Sequence, residues 1–187
     1  MIRLGHQYGV GLVEVLVAVL LLAVAVLGFS SLQLTALKAT DESLDRSRAM
    51  SISKQLLENM RLNSLAAEEF TKELNKLNNS TKNITEYCTK VEQAGSKFDK
   101  NSCKTVSCNP SEAAALIAWK GANLACEQDI MLNMTACPEM ANINARQCII
   151  TSWGDTLPTL GDDIKNACGN NNGTYKLGSS CLIMEAY

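Results

Sequence analysis

The sequence predicts an α+β fold: a long N-terminal α-helix, transmembrane in its first half, packed on a small antiparallel β-sheet head that carries disulfides. Three observations predict it. No charged residue interrupts Val15–Leu37, and no proline occurs before Pro110. Strand-type alternation is confined to the end of the chain, in Arg146–Trp153 and Cys181–Tyr187. Every cysteine lies beyond the apolar stretch, from Cys88 onward.

The helix begins behind a short polar opening, Met1–Gly9, with Arg3 as its fixed positive charge. An ordinary secretory signal places its apolar core ahead of the cleavage site. Here the core follows Gly9, so the apolar segment is expected to stay with the mature chain. At about 1.5 Å per residue, Val15–Leu37 crosses a hydrocarbon layer of about 30 Å. Arg3 and the amino terminus favour a cytoplasmic N-terminus with the remainder exported. Glu14 stands at the mouth of this span, five residues past Gly9. Carried to the bilayer centre, such an acid costs roughly 2.5–3.5 kcal/mol. Its presence there asks for a purpose.

Beyond Leu37 the pattern turns one-sided. Ala49, Ile52, Leu56 and Met60 recur at helical spacing, and Asp45, Arg46, Lys54 and Glu58 supply a polar face. One helix is expected from about Gly11 to about Leu65, fraying towards Phe70. Gly28 is its interior weak point, and a proline kink is excluded.

The head opens with a polar connection, Ser64–Ser107, in which Glu69–Lys76 is expected to hold a helical turn or two. Asn78–Asn83 reads as a loop. Asn79 and Asn83 open N-x-[ST] matches that read as turn residues. A second helix is expected from Pro110, with Ser111 as N-cap and Glu112 in the first turn. Ala113, Leu116, Ile117, Leu124 and Cys126 are the expected inward residues, and Trp119 the expected packing aromatic. Met131–Thr135 is ambiguous. Gly169–Gly173 is turn-rich, and Tyr175–Leu177 is a candidate strand partner across Gly178–Ser180. Three to five antiparallel strands are expected to pack on the Ala49–Leu65 half of the helix.

The cysteines are Cys88, Cys103, Cys108, Cys126, Cys137, Cys148, Cys168 and Cys181. An even count confined to the exported part suits disulfides in an oxidising compartment. On the order of a hundred full pairings are open to eight cysteines. A metal site is the rival reading, but no C-x-x-C pair occurs, and the only histidine, His6, lies beside the apolar segment.

The totals exclude more than they propose. A net charge of −2 and a pI near 5.5 give no basic footprint, so no nucleic-acid partner is expected. A chain cut after Gly9 carries no histidine, the commonest general base. Asp162 and Asp163 sit beside Gly161 in a turn-like context rather than as an acid–base pair. No phosphate loop or metal motif occurs. The chain is therefore read as a non-enzyme with no cofactor and no metal.

Gly9, Val10 and Glu14 together resemble the N-terminus of type IV pilins and pseudopilins. The segments Gly11–Gln33 and Gln55–Asn63, with their E-V-L-V-A opening and L-L-E-x-M-R step, resemble minor pilins of the PilV type. The resemblance implies that prepilin peptidase cuts between Gly9 and Val10 and N-methylates Val10. Glu14 then becomes the fifth mature residue, the filament assembly and register residue. Val10 and Gly11 depart from the phenylalanine and threonine that open most major pilins. Three segments are implied: a leader at 1–9, a transmembrane and filament-core helix half at 10–37, and a periplasmic head at 38–187. Implied partners are other minor pilins, the major pilin, prepilin peptidase and, before assembly, the inner membrane. Implied too are a tip or initiation complex, twitching motility and surface attachment. A bridge between Cys168 and Cys181 would resemble the C-terminal disulfide loop of pilins. A pseudopilin of type II secretion, or a subunit of a DNA-uptake system, stays open as the alternative.

Overall fold

A computed structural model gives the architecture and describes residues 11–96, 98, 103, 108–138 and 146–186. The first helix, α1, runs Leu12–Leu62. Its length follows from what the sequence lacks, since nothing inside it removes a backbone donor or forces a left-handed residue. The chain divides inside α1 into two units, Met1–Ser43 and Leu44–Tyr187.

In the first unit every described side chain is exposed. Its hydroxyls turn back onto the helix: Ser30 donates to the Val26 carbonyl at 2.9 Å, and Thr35 to that of Ser31 at 3.0 Å. Thr40 does the same to Ala36 at 2.9 Å. These polar groups are thereby satisfied without water, which an apolar surrounding requires.

The second unit begins with the one-sided part of α1. Ala49, Ile52, Leu56, Leu57 and Met60 form its buried stripe. After Leu62 comes a 3-10 turn, Ser64–Ala66, then α2 at Ala67–Asn78 and α3 at Ile84–Gly95. The expected polar connection is thus mostly helical. In α2, Phe70, Leu74 and Leu77 recur at helical spacing and are buried. In α3, Tyr87 and Val91 do the same. Asn83 caps α3 by accepting from the Glu86 amide at 2.9 Å. The loop between the two helices holds Ser80 at φ 60°.

Helix α4 runs Pro110–Cys126. Its N-cap is Asn109, not Ser111. The Asn109 side chain accepts from the Glu112 amide at 2.8 Å, and Glu112 accepts from the Asn109 amide at 3.1 Å. This reciprocal box leaves Pro110 at the first helical position, where its missing N–H is no loss. The inward ridge also differs from expectation: it is Ala114, Ala118, Ala122 and Ala125. Ile117, Leu124 and Cys126 are half-buried against that core instead. Small residues there let α4 approach its neighbours α2 and α3 closely.

Five strands follow among the described residues: β1 Ile130–Ala136, β2 Gln147–Trp153, β3 Leu157–Leu160, β4 Ala167–Gly169 and β5 Cys181–Glu185. The order β1-β2-β5 makes one antiparallel sheet, and β3 pairs with β4 in parallel. Tyr175 adds only an isolated bridge to Gly169. One face of the sheet, with Ile149, Trp153, Leu182 and Met184, enters the core shared with the helices. On β2 and β5, Ile150 and Ile183 belong to a second small cluster with Cys168, Cys181 and Leu160. The helix directly against β1 is α2, seconded by α4. The stripe of α1 enters the same core. Leu56 of α1 faces Gly121 of α4, and Asn63 donates to the Pro110 carbonyl at 2.9 Å.

All eight cysteines pair, so the metal alternative does not hold. Cys88–Cys126 ties α3 to the end of α4, with Cα atoms 5.6 Å apart. Cys103–Cys108 closes a short loop ahead of α4. Cys137–Cys148 staples the β1–β2 connection, and Cys168–Cys181 joins β4 to β5. Closing a loop of about 15 residues contributes roughly 3 kcal/mol in the chain-entropy account. That matters for a head whose sheet has three principal strands.

Candidate functional site

Gly9 and Val10 lie outside the described residues. Glu14 is in the first turn of α1 and is exposed. Its amide, and that of Val15, donate to the Gly11 carbonyl at 2.9 and 3.3 Å, so the helix is already wound where the carboxylate departs. A carboxylate in a first turn meets the positive end of the helix dipole, a favourable place. Among the described residues no cation lies within ion-pair distance of it.

Past Glu14 the helix offers an unbroken apolar surface. Leu16, Leu20, Leu27 and Leu32 are among the exposed side chains, at 61%, 64%, 71% and 71%. Exposed contiguous apolar surface on this scale marks a membrane or protein contact. By length and composition α1 can cross a membrane. One element therefore presents two features in sequence: an acid in its first turn, then a long apolar cylinder.

The described residues of the head show no comparable feature. Among the described residues no group of histidine, cysteine, aspartate and glutamate side chains is arranged to hold a metal. A groove of about 700 Å³ lies between the head part of α1, the end of α4 and the end of β2. Asp45, Arg48, Glu127 and Asp129 line it with Trp153, and Arg48 is paired to Asp45 at 3.3 Å. The surface charges largely pair along their own helices. Lys72 meets Glu68 at 3.0 Å, and that hydrogen bond and charge hold its ammonium above the ordinary lysine range. Asp162 binds Asn171 at 2.7 Å, as a loop-ordering residue does.

Among the described residues, Tyr87 is the strongly perturbed group. It is fully buried, and burial pushes its phenol well above the ordinary tyrosine range. Its hydroxyl lies near the Leu132 backbone but makes no hydrogen bond of ordinary geometry. Enclosed by the core shared by the helices and the sheet, it is a structural group.

Residues 31–119 match a family model described as Tt1218-like, type IV pilin Tt1218. The match runs from the apolar part of α1 into the middle of α4, and so takes in α2 and α3 as well. No curated protein and no solved structure matches the chain. The aligned part excludes Glu14 and the sheet, so the match and the N-terminal pattern are separate observations.

Proposed function

We propose that this chain is a structural type IV pilin subunit, of the minor kind, and not an enzyme. The observation that carries the reading is the single helix α1, which joins a first-turn acid and an exposed membrane-length apolar surface to the spine of a disulfide-bonded α+β head. The family match over residues 31–119 supports it independently.

In this reading the inner membrane stores the apolar half of α1 with the head exported. Prepilin peptidase cuts between Gly9 and Val10 and methylates Val10. On assembly the helix leaves lipid for a bundle of like helices, exchanging one apolar surrounding for another. The carboxylate of Glu14 then loses its water and needs a cation. The amino terminus of an adjacent subunit supplies one, and the pair fixes register as a buried polar residue does in a coiled coil. The head contacts other minor pilins and the major pilin in a tip or initiation complex. Pilus assembly, twitching motility and surface attachment are the functions this serves.

Mass spectrometry of the mature N-terminus tests the proposal. A chain beginning at N-methylated Val10 in cells with active peptidase is the expected result. An intact leader, or a start elsewhere, overturns it. Deletion scored for surface pili and for exported enzymes separates the pilus role from the secretion role.

A further inference from the structure

We propose that Asn172 is a self-modifying site, converted to aspartate and isoaspartate by ring closure onto the backbone nitrogen of Gly173, at a rate set by opening of the turn that Asn170 holds. Asn172-Gly173 is the only Asn-Gly step in the chain. A glycine carries no side chain to shield its own nitrogen and leaves the backbone free to rotate, so an asparagine side chain reaches the following amide most readily there.

The structure separates Asn172 from its neighbours. Three asparagines stand in a row in the loop between β4 and β5, inside the Cys168–Cys181 bridge. Two of them are occupied. The Asn170 side-chain oxygen accepts from the amides of Asn172 at 3.1 Å and Thr174 at 2.9 Å. The Asn171 side chain donates to an Asp162 carboxylate oxygen at 2.7 Å. The Asn172 side chain is exposed, and among the described residues nothing bonds to it. The fold also requires the glycine that makes this pair reactive. Gly173 holds φ 80°, and a Cβ there would fall 2.5 Å from Pro138 Cγ.

The turn is the gate. The Gly173 amide donates to the Asn170 carbonyl at 3.0 Å, and the Asn170 amide to the Thr174 carbonyl at 2.9 Å. While these bonds hold, the Gly173 nitrogen is turned away from the Asn172 side chain. Opening an exposed loop of this kind costs far less than unfolding the head. In the opened turn the Gly173 nitrogen gives its proton to solvent and attacks the side-chain carbonyl carbon of Asn172. The carboxamide nitrogen leaves as ammonia, and a cyclic imide remains. Water then adds to one of the two imide carbonyls. Breaking the nitrogen's bond to the side-chain carbonyl gives aspartate, and breaking its bond to the main-chain carbonyl gives isoaspartate. Water enters, ammonia leaves, and nothing is oxidised or reduced.

Either product sets a carboxylate beside the Asn171–Asp162 pair. Isoaspartate also adds a methylene to the main chain inside the turn, which breaks the spacing that lets Asn170 hold two amides. The Cys168–Cys181 bridge confines the change to the loop, so the site records the age of the chain. This goes beyond the filament reading and does not rest on it, because the chemistry needs only this loop.

The test holds the full-length, disulfide-intact chain in lipid nanodiscs at mildly alkaline pH for weeks, in water labelled with heavy oxygen. Peptides are then mapped by electron-transfer mass spectrometry, which tells aspartate from isoaspartate. Conversion at Asn172 should outrun that at Asn170 and Asn171 about fivefold or more, as the hydrogen bonds holding those two side chains imply. Both isomers should appear, with the label in the new carboxylate. Asn170→Ala should speed the conversion about fivefold. Asn172→Gln, whose longer side chain closes the ring far more slowly, should leave the loop unmodified while melting as the parent does. Should Asn170→Ala not fold, Asp162→Ala takes its place, since it releases the other side of the loop. An Asn172 that stays intact while the urea-unfolded chain converts there, equal conversion at the three asparagines, absence of isoaspartate, or a rate indifferent to loosening the loop overturns the proposal.

Discussion

Trp119 of α4 donates its indole N–H to the carbonyl of Val91 in α3, across 2.8 Å. The Phe98 ring stacks on the indole with centroids 5.6 Å apart. Gly95, the last residue of α3, sits so close that a Cβ there would fall 2.6 Å from Trp119 Cζ2. With Cys88–Cys126 this makes α3 and α4 one clamped pair.

Two substitutions test the clamp. Trp119→Phe loses the hydrogen bond and part of the packing, at about 1–2 kcal/mol. Gly95→Ala gains helix propensity worth about 1 kcal/mol but forces the indole to move, at about 1–3 kcal/mol. In the Trp119→Phe background the clash disappears, so Gly95→Ala should there be neutral or stabilising. A double-mutant cycle by urea unfolding of the disulfide-intact chain measures the coupling, which should be plainly non-zero.

Tyr87 predicts an alkaline weakness. Its folded phenol titrates well above the unfolded value of about 10 because burial disfavours the charged form. Below pH about 10 both states hold the proton, and the contribution to stability is fully present. Above it the unfolded chain releases the proton while the folded one keeps it, so stability falls as pH rises. Tyr87→Phe removes both this slope and an unpartnered buried hydroxyl. The variant should equal or exceed the parent by about 1 kcal/mol at neutral pH and lose less between pH 9 and about 11. Thermal unfolding across that range checks it.

The Asn109–Glu112 box predicts a smaller effect. Asn109→Ala removes the cap of α4 and should cost about 1 kcal/mol. Ser111→Ala, at an exposed position inside the first turn, should stay within about 0.5 kcal/mol of the parent. Chemical unfolding of the two variants side by side decides which residue is the cap.

Where pattern and composition agreed, the sequence was readable. The absence of proline and the shift from all-round to one-sided apolarity placed α1 within three residues of its observed end. Alternation found β2 and β5. Where they disagreed, composition misled. Ile84, Tyr87 and Val91 carry a helical period, but the surrounding Thr, Lys, Glu and Gln hide α3 within the polar connection Ser64–Ser107. In α4 the expected inward set, Ala113, Leu116, Ile117, Leu124 and Cys126, misses the ridge of Ala114, Ala118, Ala122 and Ala125 that close helix packing buries. Glu14 was conspicuous from the start, since an acid against a charge-free span needs no tertiary context to stand out.

The role proposed for Glu14 is to set the register of this helix among others like it. The most direct measurement is the amount of chain recovered in sheared surface filaments, relative to its membrane pool, for the parent and for Glu14→Ala. The variant should be cleaved, inserted and folded with its disulfides intact, yet enter filaments about tenfold less or worse, as loss of one partner of a buried pair implies. Equal recovery of the two in filaments would show that Glu14 does not set register.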